Sequence, residues 1–257
     1  MTQMTGPYLD KGRCAAALTW PARQVHLAVL AAFAQTGKAP GRGELERIAR
    51  ASGADPAAVL AELAERDVIA FGQAGEIRAA YPFSPSPTPI QVSWEGGPVT
   101  YAMCAIDALG VSAMLGRPVT ITATELGTGR VITVHADRDQ ARWDPPHAVV
   151  FAGATSGDCW HAADRTCAYI NFFTSARAAR TWAKAHPAAI GTVLDRARAL
   201  SAGVAEFGAL LDSASSGATR STAWSQGAPA MSRKGPSAAP PAGLEHLGNG
   251  CGHCDGG

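Results

Sequence analysis

The sequence predicts an α+β fold: an N-terminal winged-helix-like helical unit, a mixed α+β core with antiparallel strands, and a disordered C-terminal tail. Three observations predict it. Residues 21–67 carry three short stretches of helical periodicity, followed by an alternating hairpin. Between residues 92 and 173, short apolar runs alternate with glycine-containing turns around one buried-looking helix. After Asp212 the chain turns to Ser, Ala, Gly and Pro, which bury too little surface to offset the entropy of ordering.

The elements follow in order. Residues 1–20 read as a mobile arm. Residues 21–82 form the helical unit. Pro21 opens its first helix, with Val25, Leu27, Leu30 and Phe33 as the apolar positions. Leu45, Ile48 and Ala49 mark a second helix, ended by Gly53. Asp55-Pro56 is an N-cap and first-turn pair for a third, with Val59, Leu60 and Leu63 as its stripe. Val68–Phe71 and Glu76–Ala80 then alternate around Gly72–Gly75. Residues 83–91, with Ser84-Pro-Ser-Pro-Thr-Pro89, read as an extended connector.

The second unit, residues 92–212, starts with a strand at Val99–Ala102 and a helix from Cys104 to Leu115, stopped by Gly116 and Pro118. Val119–Thr124 and Val131–His135 make a hairpin around Gly127–Gly129. Ala148–Ala152 is a strand, and a polar loop runs from Gly153 to Thr166. Tyr169–Phe173 is a further strand, and Ser175 caps a helix through His186. Ile190 to Leu211 reads as helical. The tail, residues 213–257, ends in Cys251-Gly-His-Cys254.

Composition narrows the function classes. Hydrophobic residues make up 47% of 257, enough for a substantial core, and a net charge of +1 argues against a general nucleic-acid surface. Arg42, Arg47, Arg50 and Arg66 are offset by Glu44, Glu46, Glu62 and Glu65, so the helical unit shows no basic recognition face. Met1 to Arg13 has no apolar stretch of the secretory kind, and no segment is long enough to span a membrane. A cytoplasmic protein with six reduced cysteines is the expectation.

Two cysteines stand where chemistry is plausible. A helix starting at Cys104 puts that thiol at its positive end, where thiolate is favoured, and Asp107 three residues later on the same face. A soft nucleophile and a proton-carrying carboxylate are then neighbours. Taken alone the pair also fits a buried core cysteine beside a solvated carboxylate. Cys167 lies where the polar loop enters the strand Tyr169–Phe173, a junction that suits a functional residue as well as a core one.

Three segments together carry a resemblance. Tyr101-Ala-Met-Cys-Ala-Ile-Asp-Ala-Leu109, Leu115-Gly-Arg117 and Cys167-Ala-Tyr-Ile-Asn-Phe-Phe-Thr-Ser175 resemble those of the organomercurial lyases (alkylmercury lyases) in order and separation. The resemblance covers most of residues 20–211. It implies that Cys104 and Cys167 are catalytic thiols and Asp107 the proton carrier, with no organic cofactor or resident metal. Met103 stands where some members have Trp, Ala168 where some have a second cysteine, and Glu125 near an extra cysteine of others; none of these removes a reacting group.

The chemistry agrees. Mercury is soft and thiophilic, so two thiolates suit it. A second thiolate weakens the carbon–mercury bond, and the carbanion-like carbon then needs a proton, which Asp107 would take from a thiol and hand on. Cys104 and Cys167 would retain the Hg(II) product. Cys251 and Cys254 would pass it to small thiols or a mercuric reductase. Cys159, His161 and Asp164 form a polar cluster without the paired spacing of structural zinc, and Cys14 reads as a surface thiol. The competing function is a non-catalytic soft-metal carrier or winged-helix metal sensor using the same cysteines. Asp107 discriminates, because a carrier gains little from an acid beside its thiolates.

Overall fold

The computed structural model describes residues 11–155 and 162–211. The chain opens with α1 (Lys11–Ala16), α2 (Trp20–Thr36), α3 (Arg42–Ala51) and α4 (Pro56–Glu65). Asp55 caps α4 as its sequence position suggests, accepting the N–H groups of Ala57 and Ala58 at 3.4 and 3.2 Å; such a cap stabilises a helix by about 1 kcal/mol. Strands β1 (Ile69–Phe71), β2 (Ile77–Ala80), β3 (Phe83–Ser84), β4 (Ile90–Ser93) and β5 (Thr100–Ala102) follow, then α5 (Ala105–Leu115). Next come β6 (Val119–Thr124), β7 (Val131–Asp137), β8 (Gln140–Asp144), β9 (Val149–Ala154) and the short α6 (Ala162–Arg165). A 3-10 turn at Cys167–Tyr169, β10 (Ile170–Phe173), α7 (Ala176–Ala185), β11 (Ile190–Leu194) and α8 (Arg196–Phe207) complete the described chain.

The strands form two antiparallel sheets. The larger has the order β1-β2-β3-β5-β4-β6-β7-β8, and the smaller β10-β9-β11. The β1–β2 hairpin of the helical unit is therefore continuous with the core sheet through β3. One hydrophobic cluster likewise runs from Leu30 and Phe33 of α2 through Phe83 and Leu109 to Phe207 of α8. A second, around Phe151, Phe173 and Trp182, packs α7 on the smaller sheet.

Helix α5 is the centre of the molecule, with nine of its eleven residues buried. It lies directly on α8 because glycine faces glycine: a Cβ on Gly110 would stand 2.5 Å from the Gly203 carbonyl oxygen, and one on Gly203 2.7 Å from the Gly110 nitrogen. A glycine inside a helix ordinarily weakens it; here Gly203 is what permits the close approach.

Three expectations need correction, and one strand was not foreseen. Lys11–Ala16, expected within a mobile arm, form α1, whose Lys11 N–H donates to Glu206 of α8 at 2.7 Å. Cys14, expected as a surface thiol, is 4% exposed and disulfide-bonded, so the cysteines are not all reduced. Residues 190–194, expected to be helical, are β11: β-branched Ile190, Thr192 and Val193 favour an extended chain, and Gly191 fits where a Cβ would meet the Ala152 oxygen at 2.4 Å. Strand β8 was unforeseen because only Ala141 and Trp143 of its five residues turn inward, the rest being polar as suits a sheet edge. No helix among the described residues is long and apolar enough to cross a membrane.

Candidate active site

Cys104 is the N-cap of α5. Its backbone is extended, with φ −154° and ψ 178°, and its Sγ accepts the Asp107 N–H at 3.4 Å. Thiol and carboxylate are thereby fixed on one helical turn. Cys167 begins the 3-10 turn before β10 and places its Sγ 3.9 Å from Asp107 Oδ2. One donor atom from each of Cys104, Asp107 and Cys167 lies within 4.8 Å of the others, and all three side chains are buried. Both cysteines are free thiols. Two sulfurs 63 positions apart in sequence thus meet at one carboxylate.

Burial decides the protonation states. It pushes Asp107 up from the ordinary carboxylate value to about 7, against the pull of its hydrogen bond with Cys104. It pushes Cys104 well above the usual thiol range, with the neighbouring Cys167 and Asp107 adding to the rise. For Cys167 the hydrogen bond with Cys104 pulls down, but burial and the Asp107 charge outweigh it and leave the thiol raised. The helix N-terminus, expected to favour a Cys104 thiolate, is overruled by desolvation. The resting site therefore holds two thiols and a carboxylate able to take or give a proton near neutrality. A soft cation that binds a sulfur displaces its proton, and Asp107 is the acceptor within reach.

Further residues surround the cluster that sequence reading did not single out. Tyr81 is buried, and burial raises its phenol well above the usual range, with the charges of Cys167, Asp67 and Asp107 adding to it. Lys11 lies over its ring, 4.4 Å from the centroid, and pairs with Asp67. Behind Cys167, Asn171 donates from Nδ2 to the Ala168 carbonyl at 2.8 Å and closes the turn. Glu125, noted in sequence only as a departure, is buried and accepts from the Thr174 N–H and hydroxyl, both at 3.1 Å, tying the β6–β7 turn to the end of β10. Met103 is half-buried against the core. A surface groove of about 830 Å³ beside Trp94, Arg117, His135 and Arg142 contains none of the three clustered residues. Cys159, His161, Cys251 and Cys254 lie outside the described residues, as does the side chain of Asp164.

Comparison with known proteins finds similarity over the part of the chain that holds the cluster. The alkylmercury lyase (MerB) family model matches residues 83–208, which contain all three clustered side chains. An alkylmercury lyase of Streptomyces lividans is 29% identical over 159 residues, spanning 62% of this chain and 72% of that protein. The Staphylococcus epidermidis alkylmercury lyase is 31% identical over 101 residues, 39% of this chain and 46% of that one. Among solved structures, the mercury-bound form of MerB2 superposes with a TM-score of 0.64 at 25% identity, covering 80% of this chain and 99% of its own. With the fold and the helix-start cysteine–aspartate pair in place, residues 83–208 match the alkylmercury lyase family, and the fold is that of MerB2.

Proposed function

We propose that the protein is an organomercurial lyase in which Cys104, Asp107 and Cys167 together cleave carbon–mercury bonds of alkyl and aryl mercurials. The observation that carries this reading is the meeting of two free thiols at one buried carboxylate within 4.8 Å. The family match and the similarity to proteins named alkylmercury lyase support it.

The proton inventory gives the sequence of events. An R–Hg cation binds one sulfur, and the displaced thiol proton passes to Asp107, whose raised pKa lets it hold that proton near neutral pH. The second sulfur then coordinates the same mercury and releases its own proton. Two thiolates push electron density towards carbon, and Asp107 delivers its proton there as the carbon–mercury bond breaks. One R–Hg cation and two thiols thus become one hydrocarbon, one Hg(II) held by two thiolates, and one proton released. The charge is +1 on each side. Exclusion of water keeps the Asp107 proton for carbon.

Small thiols are proposed to remove Hg(II), with Cys251 and Cys254 as relay ligands and a mercuric reductase as receiver. Residues 21–82 are proposed as a structural domain beside the lyase core rather than a nucleic-acid reader, and a cytoplasmic setting suits the small-thiol requirement. Incubation with phenylmercury and excess small thiol tests the central reading: catalytic benzene release, measured by gas chromatography, is expected. A stoichiometric protein–phenylmercury complex without benzene would mark a carrier instead.

A further inference from the structure

Cys104 is placed by the helix it caps, but Cys167 has no long element of its own. It follows the four-residue α6 and opens a three-residue turn. The beginning of α6 is gripped from outside. Asp67 Oδ2 accepts the Ala162 N–H at 2.9 Å, and the Tyr81 hydroxyl accepts the Ala163 N–H at 2.6 Å, across sequence separations of 95 and 82 residues. Thr166 then returns both its N–H and its hydroxyl to the Ala162 carbonyl, each at 3.0 Å. Cys167 is the next residue.

The grip is itself braced. The Lys11 ammonium pairs with the Asp67 carboxylate, donates to the Asp67 carbonyl at 2.9 Å and covers the Tyr81 ring. Lys11 and Asp67 are only 11% and 18% exposed, so the ion pair is little screened.

The backbone of Asp67 supplies an independent sign that its carboxylate is used. Asp67 follows the Arg66 C-cap of α4 with φ +48°, in the left-handed region where glycine is the usual choice. A side chain there costs roughly 1 kcal/mol relative to glycine. The position keeps a carboxylate, and that carboxylate reaches two partners.

We propose that Asp67 and Tyr81 are positioning residues that hold Cys167 opposite Cys104 and Asp107, with Lys11 locking Asp67 in place. The proposal rests on the reading of Cys167 as the second thiolate. Two sulfurs must reach one mercury, and a displacement of about 1 Å in a reacting group can slow a reaction by roughly 100-fold. Loss of the grip therefore weakens cleavage far more than capture, since one thiol suffices to bind R–Hg.

The test compares Asp67→Gly, Asp67→Asn and Tyr81→Phe. Glycine suits the left-handed backbone and removes the carboxylate; asparagine tolerates that backbone and keeps an oxygen for the Ala162 N–H. Two readouts are taken: kcat and KM for benzene release from phenylmercury, and the relative alkylation rates of Cys167 and Cys104 by iodoacetamide, resolved by peptide mapping. Asp67→Gly is expected to keep the wild-type far-UV spectrum, lose about 10–100-fold in kcat with KM within about threefold, and change the Cys167:Cys104 alkylation ratio several-fold. Asp67→Asn is expected to recover most of both, and Tyr81→Phe to fall between. Should Asp67→Gly fail to fold, Tyr81→Phe, which deletes one oxygen, decides on the same readouts. Wild-type kcat and a wild-type alkylation ratio in the folded variants would overturn the proposal. The alkylation ratio needs no lyase activity, so it separates failure of this proposal from failure of the lyase reading.

Discussion

The two halves of the site, the start of α5 and the segment from α6 to β10, deliver equivalent sulfurs by opposite means. Cys104 is held locally, three residues from Asp107, at the end of a helix packed on every side. Cys167 is held from a distance, by side chains of Asp67 and Tyr81 before it and by Asn171 behind it. The first half needs only a helix and its core. The second exists only when the helical unit, the larger sheet and the smaller sheet are already assembled. In the proposed mechanism, carbon–mercury cleavage by two thiols is thereby tied to the completed fold.

Serine substitutions probe the halves most strongly. Cys104→Ser and Cys167→Ser are each expected to reduce steady-state benzene release by on the order of 10³-fold or more, because a hydroxyl is a hard, weakly ionised ligand for mercury. Near-wild-type release from either folded variant would remove that half from the chemistry. Asp107→Asn, which sits on the local half, is expected to bind phenylmercury with wild-type stoichiometry while cleavage falls about 10²–10⁴-fold. Unchanged single-turnover kinetics would assign carbon protonation to another donor.

The same aspartate links the site to stability. Its folded pKa of about 7 lies above the ordinary carboxylate value of 3.8. A proton is then held more tightly in the folded protein, so the Asp107 contribution is fully present below about pH 4 and is lost as pH rises through 7. Asp107→Asn is accordingly expected to gain on the wild type by roughly 2–4 kcal/mol between pH 5 and 8, as measured by urea unfolding. A difference independent of pH would mean that Asp107 is ordinary. The smallest effect belongs to packing beneath the local half. Gly203→Ala forces α8 away from α5 and is expected to cost about 1–3 kcal/mol. Its alkylation rate should change at Cys104 before Cys167; an equal change at both would blur the distinction between the halves.

This division also explains what could be read from the sequence. The Cys104–Asp107 pair, the Asp55 and Ser175 caps and the β6–β7 hairpin are written in neighbouring residues, and they form where expected. The three segments of family resemblance added Cys167, whose meeting with Asp107 no local pattern specifies. The brace was illegible for the same reason. Lys11 stood in an apparently featureless arm, and Tyr81 resembled any core aromatic. Asp67 left one faint signal, an acidic residue directly after a helix where glycine is customary. Edge strands β8 and β11 were missed because one face of each is polar or exposed, so their periodicity is weak.

A single-turnover experiment addresses the central claim most directly. Stoichiometric phenylmercury is mixed with the wild-type protein and with Asp107→Asn, benzene is quantified, and the mercury species left on the protein is identified by native mass spectrometry. The wild type should release one benzene per site and retain bare Hg(II) bridging Cys104 and Cys167, while Asp107→Asn should retain intact phenylmercury. A wild-type protein that keeps phenylmercury, or an Asp107→Asn variant that releases benzene at the wild-type rate, would contradict a mechanism in which this aspartate completes what the two thiols begin.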